Sequence, residues 1–148
     1  AFVDLDAEVQ VRTGRSAQAW ISADGEAAFR LAERDALLAV LASTRPTVVA
    51  TGGGAVLDPD NRTAMRAAGT VVWLRASPEV LADRVGSGAG RPLLAHDPEG
   101  TLRTLHAARA PLYAEVASEI IDVDRGSLDD VAARVRAVVP PQRAVERC

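Results

Sequence analysis

The sequence contains no lysine: all 17 of its basic residues are arginine, so any chemistry that needs a lysine cannot be carried by this stretch alone. Cysteine occurs once, as the last residue, Cys148, which excludes a disulfide framework and a cysteine-based metal cluster and fits a reducing compartment. The two histidines, His96 and His106, are too few for a zinc site and read as surface residues. No apolar run approaches the ~20 residues of a membrane span, and no basic-then-apolar signal opens the chain, so a cytoplasmic address is expected. The formal charge of −3 lacks the footprint of a polyanion binder, which sets nucleic acid aside. The chain opens on Ala1 instead of methionine and runs at once into Phe2-Val3-Asp4-Leu5-Asp6, as if entered midway.

What is present is one domain's worth of chain, 148 residues of which 48% are hydrophobic, organised around Thr47 to Val56. Val48-Val49-Ala50 is continuously apolar and predicts a strand buried on both faces, and Gly52-Gly53-Gly54 follows it directly. Glycines at the carboxyl end of such a strand either let a ligand lie against the backbone or form a flexible turn. Phe2 to Asp6 predicts a second strand, with Asp4 and Asp6 on one side facing a cavity, a cation or a donor. The alternative is a pair of helix-capping or solvated acids.

Ser16 is a candidate N-cap for a short helix through Trp20, and Asp24-Gly25-Glu26 opens a longer one carrying Phe29, Ala32, Ala36, Leu37, Val40 and Leu41 at helical spacing. Within it, Arg30 and Glu33 are one turn apart, the spacing of an ordinary surface pair. Asp58-Pro59-Asp60 starts a helix that Gly69 ends, Thr70 to Leu74 predicts another buried strand, and Ser77-Pro78-Glu79 starts the next helix. Gly86 to Gly90, followed by Arg91-Pro92-Leu93-Leu94, has the composition of a mobile flap spanning about 84–97. A helix from about Glu99 to Ala108, the segment Arg109-Ala110-Pro111-Leu112-Tyr113, a strand at Ile120 to Val123 and a helix from Leu128 to Val139 follow. Residues 140–148 form a loose tail. Alternating strands and helices predict an α/β parallel sheet with helices on both faces.

Taken in order, Asp4-Leu5-Asp6, Gly25-Glu26 with Phe29-Arg30, Gly52-Gly53-Gly54, Arg91-Pro92-Leu93-Leu94 and Arg109-Ala110-Pro111-Leu112-Tyr113 closely resemble shikimate kinase, from Phe2 to about Val139. The resemblance implies a three-layer P-loop kinase-like fold over 1–139. It also implies transfer of the γ-phosphoryl of ATP to the 3-hydroxyl of shikimate, with Mg2+, on the aromatic amino-acid pathway. Arg30 and Arg109 match the family's carboxylate-binding arginines, a task suited to bidentate guanidinium geometry. Asp6 matches the aspartate that binds the ring hydroxyls and accepts the proton of the attacking one, and Asp4 the residue that acts through Mg2+ by way of a coordinated water. The backbone of Gly52, Gly53 and Gly54 corresponds to the wall against the substrate ring. Arg91 matches the flap arginine that closes over the phosphates, and Arg84 and Arg125 lie near positions that contact the adenine. Trp20 and Phe29 are core residues and candidate pocket walls. The implied partners are the small molecules shikimate and ATP, with no nucleic acid and no membrane, and the expected state is a monomer.

The family's opening strand, G-x-x-x-x-G-K-[ST] loop and helix are absent from this stretch, so it reads as an amino-terminally truncated kinase. In the family the missing strand lies between the glycine strand and Thr70 to Leu74. The 148 residues made alone are therefore expected to fold poorly or to aggregate. The alternatives are a related small-molecule kinase such as a gluconate kinase, or a non-catalytic remnant that binds a small carboxylate.

Overall fold

The computed structural model describes residues 1–85 and 97–139, which group into two compact units, one spanning Ala1–Gly69 and the other beginning at Thr70. Most of the flap expected at 84–97, including Arg91, and the tail at 140–148 lie outside the described residues. Among the described residues no helix is long and apolar enough to cross a membrane.

In the first unit, β1 (Phe2–Asp4) pairs in parallel with β2 (Val48–Ala50), Val3 opposite Val49. Helix α1 (Leu5–Thr13) follows β1 without a loop, and α2 (Ala17–Leu41) leads to β2. A 3-10 turn (Ala55–Leu57) and α3 (Pro59–Ala68) complete the unit. The caps are those the sequence predicts: Ser16 Oγ accepts from the Ala19 N–H at 3.2 Å, and Asp58 Oδ1 from the Asp60 N–H at 2.8 Å, with Pro59 at the first helical position. Leu5 and Val9 of α1, Phe29, Ala36 and Leu37 of α2, Ala55, Val56 and Met65 form the buried core. Residue Gly25 interrupts α2 at φ 86°, ψ 168°, a conformation essentially confined to glycine, so the expected longer helix does begin at Asp24-Gly25-Glu26.

Asp4 and Asp6 do not share one face of a strand. The strand ends at Asp4, whose Oδ1 caps α1 by accepting from the Ala7 N–H at 3.1 Å, and Asp6 lies in the first turn of that helix. Burial of Leu5 and Val9, four residues apart, selects the helix, and acids in a first turn suit its dipole. Of the two readings open for this pair, helix capping holds for Asp4.

In the second unit, β3 (Val72–Arg75) pairs in parallel with β4 (Glu119–Asp122), and α4 (Pro78–Val85), α5 (Pro98–Val116) and α6 (Leu128–Val138) accompany them. Its core joins Ala76, Ile121 and Val123, with Val72, Leu81, Val131, Val135 and Val138 packed against them. Ser127 and Asp130 form a reciprocal capping box at α6, and the hydrogen bonds from Ser127 hold the Asp130 carboxyl below its ordinary pKa. Helix α5 continues through Pro111 to Val116, so Arg109 to Tyr113 is helix and not a separate segment.

The strands are less buried than their continuous apolar runs predict: Val48 is 56% exposed and Leu74 50%. Among the described residues each sheet has two strands, which makes every strand an edge and leaves part of each pleat uncovered.

Two of the glycines that end or break helices in the first unit, Gly25 and Gly69, separate backbone demand from simple accommodation. A Cβ at Gly25 or at Gly69 would meet nothing within 4 Å, but only Gly25 has positive φ in the left-handed range. Gly25→Ala is expected to lower unfolding free energy by about 1–3 kcal/mol, whereas Gly69→Ala leaves it unchanged or raises it by up to about 1 kcal/mol, read by denaturant titration.

Candidate active site

The first unit brings together Asp6, Arg30, Gly52 and Gly54 around a residue whose surroundings the sequence did not reveal, Glu33. Phe29, Glu33, Ala36 and Leu37 occupy one buried face of α2, and Glu33 is 1% exposed, not the surface acid its spacing from Arg30 suggested. Arg30 Nη1 donates to Glu33 Oε2 at 2.8 Å, and its Nε and Nη2 donate to Glu26 Oε1 at 3.3 and 2.8 Å. The guanidinium is thus fixed from both sides, by one buried and one exposed carboxylate. A Cβ at Gly54 would collide with it, and a Cβ at Gly52 would lie 3.0 Å from Glu33 Oε1 and 3.7 Å from Asp6 Oδ1. A side chain at Gly54 would force the Arg30 guanidinium out of its place between Glu26 and Glu33, and one at Gly52 would press on Glu33 Oε1 by a few tenths of an ångström.

The glycine loop is held in turn by its neighbours. The Gly52 and Gly54 carbonyls accept from the Ala55 and Leu57 N–H groups at 3.1 and 3.0 Å. Buried Asn61 donates through Nδ2 to the Ala55 carbonyl at 3.0 Å, and Arg62 through Nη1 to the Val56 carbonyl at 2.7 Å. Arg34 ties α2 to the start of α3 through Asp58 and Asp60, at 3.2 and 2.7 Å. Asn61 also escaped sequence reasoning; its signal was a polar residue on the apolar face of α3, four positions before buried Met65. Gly53 is exposed between its two neighbours, and Asp4 and Asp6 are both solvent-accessible. Of the aromatic residues expected to wall the site, Phe29 is core, with the Arg30 guanidinium carbon 5.2 Å from its ring centroid. Trp20 is half-buried and donates to Thr13 Oγ1 at 3.1 Å.

Burial dominates the electrostatics of Glu33: desolvation pushes its carboxyl above the ordinary carboxylate range, and the Arg30 hydrogen bond and charge offset this only in part. For Arg30, desolvation works against the charge, but the bonds from Glu33 and Glu26 outweigh it and raise its pKa further.

The second unit carries the remaining candidates. Arg84 of α4 donates through Nη2 to the Val123 carbonyl just past β4. Two residues on, Arg125 is exposed in the bend before Gly126, so Arg84 and Arg125 share the carboxyl end of β4. Arg109 is half-buried on α5, apart from that pair in sequence. Among the described residues no group of three or more His, Cys, Asp or Glu could hold a metal ion. Mg2+ is ordinarily held by one or two carboxylates plus phosphate and water instead of an all-protein cage. Asp4, exposed with one oxygen committed to its cap, fits such a role.

Parallel strands interleaved with helices, with a glycine loop and carboxylates at strand carboxyl ends, make an α/β arrangement, and its likeness to solved structures places it in the P-loop kinase class. The chain is similar to a shikimate kinase from Acinetobacter baumannii in complex with shikimate, with a TM-score of 0.86 and 34% identity over 93% of this chain and 76% of that one. Against a shikimate kinase from Aquifex aeolicus the TM-score is 0.78, with 28% identity over 92% of this chain and 79% of that one. The family model described as shikimate kinase matches residues 1–140. The chain is 44% identical to a shikimate kinase of Bordetella pertussis over 99% of its length and 68% of the relative's, and 47% identical to one of Symbiobacterium thermophilum over 90% and 78%. The chain belongs to the shikimate kinase family.

The Glu33 environment sets a signed pH dependence. A carboxyl whose folded pKa stands above its unfolded value gives stability that is complete below the unfolded value and is lost as pH rises through the folded one. Ionised Glu33 is therefore less favourable to the fold than protonated Glu33. Glu33→Gln is expected to raise the melting temperature by about 2–4 °C at about pH 8, the gain fading towards about pH 4, as followed by calorimetry across pH.

Proposed function

We propose that this chain acts as a shikimate kinase, moving the γ-phosphoryl of ATP to the 3-hydroxyl of shikimate in aromatic amino-acid biosynthesis. The observation that carries the reading is the convergence of Asp6, Arg30 and the close-approach glycines Gly52 and Gly54 in a chain whose family match spans residues 1–140.

In this reading Arg30 and, by its place in the family motif, Arg109 are carboxylate-binding arginines. Arg30 suits the task because Glu26 and Glu33 take one N–H from each of its terminal nitrogens, leaving a second N–H on each and a fork held in one orientation. The backbone of Gly52, Gly53 and Gly54 faces the substrate ring. Asp6 accepts hydrogen bonds from ring hydroxyls and takes the proton of the 3-hydroxyl as its oxygen bonds to the γ-phosphorus and the bond to ADP breaks. Asp4 would hold Mg2+ by way of water, and the ion, when bound, would supply charge that offsets the phosphates. Arg84 and Arg125 contact the nucleotide, and Arg91 closes over its phosphates. The domain extends over 1–139, and the protein works as a cytoplasmic monomer.

Substrate choice and proton transfer are tested separately in the full native chain. A coupled ADP-release assay is expected to show turnover of shikimate and none of gluconate; the reverse result overturns the assignment. Asp6→Asn is expected to lower kcat by about 100-fold or more. Because Asp6 is exposed, its melting temperature should stay near that of the parent.

A further inference from the structure

Helix α5 has a built-in weak point beside Arg109. Pro111 has no N–H, so the Ala107 carbonyl lacks its donor within the helix, and a proline at such a position ordinarily kinks the chain. Arg109 lies inside that interval, so its direction depends on how the two halves of α5 are held. His106 precedes the weak point and Tyr113 follows it, and both pack against one residue of β3, Trp73. The ring centroids of Trp73 and His106 are 6.5 Å apart, and those of Trp73 and Tyr113 are 5.4 Å apart, both tilted. His106, Arg109 and Tyr113 are spaced three and four residues apart, which puts them on one face of the helix. Trp73 is itself steadied, since Arg75, on the same side of β3, lies with its guanidinium carbon 5.7 Å from the Trp73 ring and is paired with Asp122 of β4.

We infer that Trp73 is a positioning residue for the substrate carboxylate: by bracing α5 on both sides of Pro111 it fixes the orientation of Arg109. This rests on the reading of Arg109 as a carboxylate ligand. It assigns a role to three aromatic rings that otherwise count only as packing.

The test measures shikimate and ATP affinities by calorimetry in the full native chain. Trp73→Leu is expected to weaken shikimate binding about 5-fold and leave ATP binding as it was, whereas Trp73→Phe, which keeps a ring, restores most of the affinity. In an Arg109→Ala background, Trp73→Leu should weaken shikimate binding no further. His106→Ala, a milder change that removes only one side of the brace, should give the same split at about 2-fold and serves if Trp73→Leu does not fold. Equal losses for ATP and shikimate, an undiminished effect in the Arg109→Ala background, or unchanged shikimate binding in both Trp73→Leu and His106→Ala would each overturn the inference. If Arg109→Ala itself leaves shikimate binding unchanged, the carboxylate reading of Arg109 falls, and this inference with it.

Discussion

The buried contact between Arg30 and Glu33 is the constraint on which the first unit depends. Placing a carboxylate at 1% exposure carries a large desolvation cost, and its partner repays that cost only while the geometry is held. Much of the surrounding sequence supplies that geometry. Glu26 fixes the far side of the guanidinium, Gly54 makes room for it, and Gly52 leaves space before Glu33 Oε1, which has no hydrogen-bond partner. Asn61 and Arg62 hold the turn after the glycines at a fixed distance. A side chain that works against stability and is kept in place by several others is the signature of a group retained for what it positions. Here that group is the Glu33 carboxylate, and what it positions is the Arg30 guanidinium fork.

An all-arginine basic set shapes the rest of the structure. A guanidinium can donate in several directions within one plane, and these arginines use that to tie chain ends as well as to pair with acids. Arg34 spans two acids at the start of α3, and Arg62 reaches two successive carbonyls of the 3-10 turn. At the end of β4, Arg134 donates to the Asp122 carbonyl at 2.7 Å and Arg84 to the Val123 carbonyl. Exposed ion pairs such as Arg103 with Glu79 and Glu99 add little to stability. Bonds to strand-end and turn carbonyls do something different, because they fix loops in which backbone groups would otherwise have only water as a partner.

Local signals that depend on one or two residues were legible. Ser16, Asp58-Pro59 and Ser77-Pro78 all cap helices, and Gly25 divides α2 where its neighbours predict. The ordered motifs also identified the family before any coordinates. Signals shared by two structures were not legible. In Val-Asp-Leu-Asp the alternation of a strand and the acidic first turn of a helix use the same letters, and only the burial of Leu5 with Val9 separates them. Pro111 reads as a helix break, yet packing keeps α5 continuous through it. Glu33 shows the same ambiguity in side-chain terms. Three residues from Arg30 it looks like a surface pair, but it also falls four residues from Phe29 and from Leu37, on the apolar stripe. The stripe was the stronger signal, since spacing to a partner says nothing of exposure.

Both units put their candidate ligand-binding groups in the same relation to their strands. Asp4 ends β1, Gly52 to Gly54 follow β2, and the bend carrying Arg125 follows β4, with Arg84 anchored beside it. In parallel sheets the carboxyl ends are where strands hand over to helices, so backbone N–H groups and capping side chains gather there. The chemistry then divides by unit. The first offers acceptors and one rigid guanidinium, suited to a polyhydroxylated carboxylate, while the strand-end bend of the second offers guanidinium groups, suited to an anionic nucleotide. Arg109 is the exception, since it stands on a helix interior, not at a strand end, and its helix is weakened beside it by Pro111. A residue so placed cannot draw its orientation from a strand end, so if Arg109 binds the carboxylate as proposed, the contacts of α5 with Trp73 on either side of Pro111 are what would orient it.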